Sequence, residues 1–93
     1  NLQDLHKLKI GETVAEGLQA DLELERAGHG ALVEGVRAAE AASDFVTREV
    51  FREILSDTED HIDFLETQLN LYRALGEHNY LQSALGELEG DGH

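Results

Sequence analysis

Asp57-Thr58-Glu59-Asp60-His61-Ile62-Asp63-Phe64-Leu65-Glu66-Thr67-Gln68-Leu69 sets one histidine among carboxylates inside an apolar helical pattern. Working outward, Phe51, Ile54, Thr58, His61, Leu65, Gln68 and Tyr72 recur at alternating steps of three and four, which is the spacing of a buried helical seam. Thr58 and His61 are therefore expected to point inward. At about 100° per residue, Asp57 lies about 40° from His61 around the helix, Thr58 about 60° and Glu59 about 160°. Only Asp57 and Thr58 can then share a ligand with His61, and in the acidic run Asp57 is the one member able to swing inward. Glu59, Asp60 and Asp63 read as a solvated face, and Tyr72 as core.

The chain before this helix carries a second seam. Thr13-Val14-Ala15-Glu16 matches a capping box, in which the threonine hydroxyl and the glutamate carboxylate satisfy free amides of a first helical turn. From there Leu18, Leu22, Glu25, His29, Leu32 and Val36 follow steps of four and three, so a helix is expected over 13–40 with Glu25 and His29 interrupting its apolar face. Gly28 and Gly30 each cost about 1 kcal/mol of helix propensity relative to alanine, and they are candidates for close approach of another segment. Ser43 or Asp44 caps a second helix over 44–75 that stops at Gly76, a favourable residue after a helix end. So short a connection folds two long helices back as an antiparallel hairpin. A short helix is expected over 77–85, a frayed polar tail over 86–93, and an irregular approach, the end of a longer connection, over 1–12. That approach suggests a fragment or one part of a split protein. The fold class is all-α, and each long helix spans roughly 40 to 50 Å at 1.5 Å per residue. A lone hairpin cannot cover both seams, so further helices from another chain are expected to complete a four-helix bundle.

Reflecting the hairpin about residues 42 and 43 places Glu25 level with about residue 60 and His29 level with about residue 56. Glu25 and His61 should therefore face one another. A carboxylate beside an imidazole suits iron, manganese or zinc. A lone inward histidine is more often hydrogen-bonded structure than a ligand, and an inward glutamate in an apolar core needs a metal, a cation or a hydrogen bond. Glu25 and His61, with Asp57 as an auxiliary ligand, form the candidate metal set, while His29 reads as a core or interface histidine.

Composition limits the partners. Against 20 acidic residues stand 7 basic ones, a formal charge of −13, which argues against nucleic acid or an anionic membrane and makes cations the natural counter-charge. The chain has no cysteine, which removes disulfides and thiol chemistry and fits a reducing compartment. There is no run of about 18 apolar residues and no basic-then-apolar leader, so the cytoplasm is the expected location. Although high acidity with few aromatics can mean disorder, the 41% of hydrophobic residues fall at helical intervals.

The stretches NLQDLHKLKIGE (1–12), ADLELE (20–25), SDFVTREVFREIL (43–55), DHIDFLETQL (60–69) and NYLQS (79–83) closely resemble the C-terminal half of bacterioferritins. The resemblance implies the third and fourth helices of a ferritin-like bundle, a short fifth helix and the end of the long crossover before them. It further implies a many-subunit shell that oxidises Fe(II) at a di-iron centre and stores the ferric mineral. Carried over by position, Glu25 matches the family's third-helix bridging glutamate and His61 the fourth-helix histidine. Thr58 stands where the family has its second bridging glutamate, and a hydroxyl substitutes poorly for a carboxylate spanning two irons. Asn79 and Gln82 match polar residues near the family's four-fold channel. With no methionine, the chain cannot supply the family's haem ligand. The implied partner is an N-terminal-half chain or other ferritin-like subunits, in a shell whose Fe(II) oxidation Thr58 would weaken. Two alternatives stand beside this: a homodimer in which identical hairpins share a core metal, and a non-enzymatic helical module whose inward polar residues only fix register.

Overall fold

The computed structural model describes residues 13–91, with side chains described through residue 86. Three helices follow in order: α1 over Val14–Ala41, α2 over Phe45–Leu75 and α3 over Glu77–Asp91. The expectation for residues 1–12 lies outside the described residues. Contrary to the expected end at residue 85, α3 continues to Asp91; Gly86 lowers helix propensity there without breaking the ladder, as a proline would.

Each helix boundary has a local cause. Thr13 caps α1, its Oγ1 accepting from the Glu16 amide at 3.1 Å. The Glu16 carboxylate accepts the Thr13 hydroxyl at 3.1 Å, so the reciprocal half of the expected box goes to a side chain. At the other end, the Ser43 amide donates to Glu40 O at 3.0 Å and the Asp44 amide to Ala39 O at 2.8 Å. Those two bonds are a Schellman closure, with Ser43 at φ 57° in the left-handed position where glycine is usual. Asp44 also caps α2. Its Oδ1 accepts the Thr47 amide at 3.1 Å and its Oδ2 the Thr47 hydroxyl at 2.6 Å. The hydroxyl first and the amide second hold the Asp44 carboxyl below its ordinary range. Between α2 and α3, Gly76 sits at φ 79° and ψ 165°, a conformation that is essentially glycine's alone. Asn79, matched above to a channel position, donates from Nδ2 to Leu75 O at 3.2 Å and satisfies the end of α2.

α1 and α2 pack antiparallel. The core is a cluster of Val14, Leu18 and Leu22 with Leu65, Leu69 and Tyr80, and Leu65 is 0% exposed. Tyr80 meets the Tyr72 ring edge-on at 5.6 Å and donates its hydroxyl to Gln68 Oε1 at 2.8 Å. This cluster occupies the end of the hairpin away from the turn. Toward the turn the close approach falls at Gly35, where a Cβ would stand 3.1 Å from the Phe51 ring. The expected approach at Gly28 and Gly30 is not made among the described residues, where nothing lies within 4 Å of a Cβ at either. Among the described residues no helix is long and apolar enough to cross a membrane.

Candidate metal centre

The seam of α1 is buried at Leu18 and Leu22, then half-buried at Glu25, His29, Leu32 and Val36. The seam of α2 runs parallel to it, with Leu65 buried and Thr58 and His61 half-buried. Where the apolar core gives way to these polar positions, two carboxylate–imidazole pairs bridge the helices.

In the first, Glu25 Oε1 stands 3.2 Å from His61 Nδ1, with the His61 and Glu25 side chains 35% and 32% exposed. The His61 ring also lies near that of Phe64, 6.3 Å between centroids and 25° between planes. Two donor atoms bound to one ion at about 2.0–2.2 Å stand roughly 2.8–3.6 Å apart when the angle at the metal lies between a right angle and the tetrahedral value. The observed separation falls in that range. The pair is thus shaped either to share a proton or to present two adjacent ligands to one cation.

Around it the other candidates are placed less favourably. The Thr58 hydroxyl donates back to Ile54 O in its own helix at 2.9 Å, a common use for a helical threonine. Asp57 is exposed and is not brought to the pair. Among the described residues no group of three or more His, Asp or Glu side chains is arranged to hold a metal. Glu25 and His61 fit as two ligands of an ion, and the rest of a coordination shell has to come from elsewhere.

The second pair joins His29 Nε2 to Glu59 Oε2 at 3.0 Å, with side chains 32% and 62% exposed. Sequence reasoning missed it, having set His29 level with residue 56 and Glu59 on the solvated face. The pair lies in an open groove of about 490 Å³ also lined by Arg26, Ile62, Asp63 and Glu66, and Arg26 reaches Glu66 at 3.5 Å in the same groove. With a guanidinium close by, the groove already holds a cation of its own.

A family model described as the ferritin-like domain matches residues 1–75. The chain is 43% identical over 82 residues to the bacterioferritin of Brucella melitensis, covering 88% of this chain and 51% of that protein. Against the bacterioferritin of Streptomyces coelicolor it is 40% identical over 91 residues, covering 98% and 54%. With the bacterial ferritin of Pseudomonas aeruginosa the identity is 46% over 83 residues, covering 88% and 52%. The chain spans about half the length of these relatives.

Proposed function

This chain belongs to the ferritin-like family, and on that footing we propose that it is the C-terminal half of a bacterioferritin-type subunit that stores iron and takes part in oxidising Fe(II). The observation that carries the reading is the bridge between α1 and α2, a carboxylate and an imidazole 3.2 Å apart, in a chain related to proteins named bacterioferritin.

In this reading Fe(II) is the substrate. Glu25 Oε1 and His61 Nδ1 take the ion as neighbouring ligands, and dioxygen or peroxide accepts the one electron each Fe(II) gives up. The remaining ligands come from helices of another chain, an N-terminal-half chain or another ferritin-like subunit, which also cover the second face of the hairpin. With Thr58 turned to its own backbone, this chain brings one inward carboxylate where the family resemblance implies two. Its share of Fe(II) oxidation is accordingly weak, while its acidic surface, at −13 overall, still attracts and holds cations inside a shell. The proposal places the protein in the cytoplasm, where a chain without cysteine needs no oxidising environment.

Light scattering on the native assembly, combined with iron content after aerobic Fe(II) loading, tests the proposal. A shell-sized particle with many irons per chain is the expected result, and Thr58→Glu should speed Fe(II) oxidation by supplying the second carboxylate. An assembly that takes up no iron, whatever its size, overturns it.

A further inference from the structure

With 20 acidic residues against 7 basic ones, carboxylates are never far from an arginine in this chain, and three of its arginines use them. Arg37 donates to Glu34 at 3.0 Å, Arg48 to Glu40 at 3.3 Å and Arg52 to Glu49 at 2.7 Å. Arg26 and Arg73 behave differently. Among the described residues neither guanidinium makes a hydrogen bond: Arg26 has only the 3.5 Å approach of Glu66, and Arg73 has no carboxylate within ion-pair distance. Arg73 is the basic residue in the last turn of α2, where a cation complements the helix end, but that use leaves its five N–H donors open.

The two unbonded guanidiniums line one small groove of about 200 Å³. Its walls add the side-chain amides of Gln19 and Asn70, which likewise make no hydrogen bond among the described residues, and its floor is the buried pair Leu22 and Leu69. At about 100° per residue, Glu66, Asn70 and Arg73 stand about 120–180° around α2 from His61. Val46, Val50 and Leu71, exposed apolar side chains of the same helix, stand about 20–80° from His61 in the opposite sense. The groove is thus on the back of the hairpin, clear of the Glu25–His61 pair and of the apolar flank that further helices would cover.

Two guanidiniums and two amides around an apolar floor are donors in want of an acceptor. An oxyanion supplies one, since the fork of N–H groups on an arginine matches the oxygens of a phosphate. The charge of −13 does not forbid this: at physiological ionic strength exposed charges beyond about 8 Å are screened, and the groove itself sets two arginines against Glu66 alone. Glu66 then selects among oxyanions. An ionised carboxylate only accepts hydrogen bonds, so it opposes sulfate, whose oxygens carry no hydrogen at neutral pH, and accepts the P–OH of hydrogen phosphate. A site that hydrogen-bonds a ligand's hydroxyl rejects the analogue without it. The structure assigns to this groove one inorganic phosphate, its oxygens held by Arg26 and Arg73 with the amides of Gln19 and Asn70, and its P–OH donated to Glu66. Nothing in this assignment rests on the iron reading above.

Equilibrium dialysis of the purified full chain, stripped of metal by a chelator, against labelled inorganic phosphate tests it. Saturable uptake of about one phosphate per chain is expected, with sulfate held at least about fivefold more weakly. Arg26→Gln and Arg73→Gln should each weaken phosphate binding by at least about tenfold, with helicity retained in circular dichroism, because both side chains are exposed. Arg37→Gln, which removes an exposed guanidinium outside the groove, should leave it within about twofold. Glu66→Gln should bring sulfate and phosphate to within about twofold of each other. The absence of saturable phosphate uptake, a loss in Arg37→Gln equal to that in Arg73→Gln, or sulfate held by the unaltered chain as tightly as phosphate would each overturn the proposal.

Discussion

Two bridges cross the same hairpin with the same chemistry and nearly the same length, yet their settings differ. Glu25–His61, at 3.2 Å, has both side chains about one-third exposed at the edge of the buried Leu22–Leu65 layer. His29–Glu59, at 3.0 Å, runs the opposite way between the helices and sits in a groove with Arg26, Asp63 and Glu66. An imidazole beside a carboxylate is therefore not by itself a site. Its surroundings decide: where a partner can exclude water, each polar group must find a strong ligand, whereas a pair with its glutamate 62% exposed is worth about 0–1 kcal/mol and is screened by salt.

The largest effect that would break the contrast comes from the layer beneath the first bridge. Leu65 follows His61 by one turn and is fully buried; Leu65→Ala should cost about 2–5 kcal/mol, read as a lowered midpoint in urea unfolding, and should loosen the seam that aims Glu25 and His61. Next, His61→Gln should weaken divalent-metal binding by at least about tenfold with little change in the unfolding midpoint. Equal losses from His61→Gln and His29→Gln in a binding titration would erase the distinction drawn here. Asp44→Ala should lower the unfolding midpoint by uncapping α2. Because the bonds from Thr47 hold the Asp44 carboxyl below its ordinary 3.8, its contribution is present above that value and is lost as pH falls through the lowered one; acid titration of wild type against Asp44→Ala checks the sign. Smallest of all, His29→Gln should shift stability by under about 1 kcal/mol and leave Fe(II) oxidation within about twofold, measured in the same assay that registers Thr58→Glu.

Much of this contrast was legible in the sequence. The alternation of threes and fours located both seams, and simple reflection about the turn paired Glu25 with His61, because the seam positions of antiparallel helices meet wherever they point at each other. His29–Glu59 escaped the same reasoning. Glu59 lies well away from the seam of α2 by rotation, and a long flexible carboxylate reaches across from the flank at a level that reflection misses by a few residues. A histidine at the edge of one seam opposite any flanking glutamate within a turn of its mirror level is the signal that would have found it.

Other details depended on atoms the pattern does not contain. The glycines that caught the eye, Gly28 and Gly30, interrupt the seam in sequence, whereas the close contact is made by Gly35, where the Phe51 ring happens to lie. Thr58 was correctly placed on the inward side, yet its hydroxyl has a competing acceptor one turn back at Ile54 O, and no periodicity argument distinguishes that from a ligand. Asp57 is the converse: its rotation sets it near His61, yet its side chain stays exposed to solvent. The Ser43 turn was legible as a cap, while its left-handed φ is set by the closure between α1 and α2 rather than by the residue.

The central claim is that the two bridges, alike in chemistry, differ in metal binding. The most direct measurement follows the imidazole resonances of the chain by nuclear magnetic resonance while Zn(II) is added. The His61 resonances should move first and saturate at a fixed ratio of metal to chain, with those of His29 unmoved until that ratio is passed. Movement of His29 together with or ahead of His61 would contradict it.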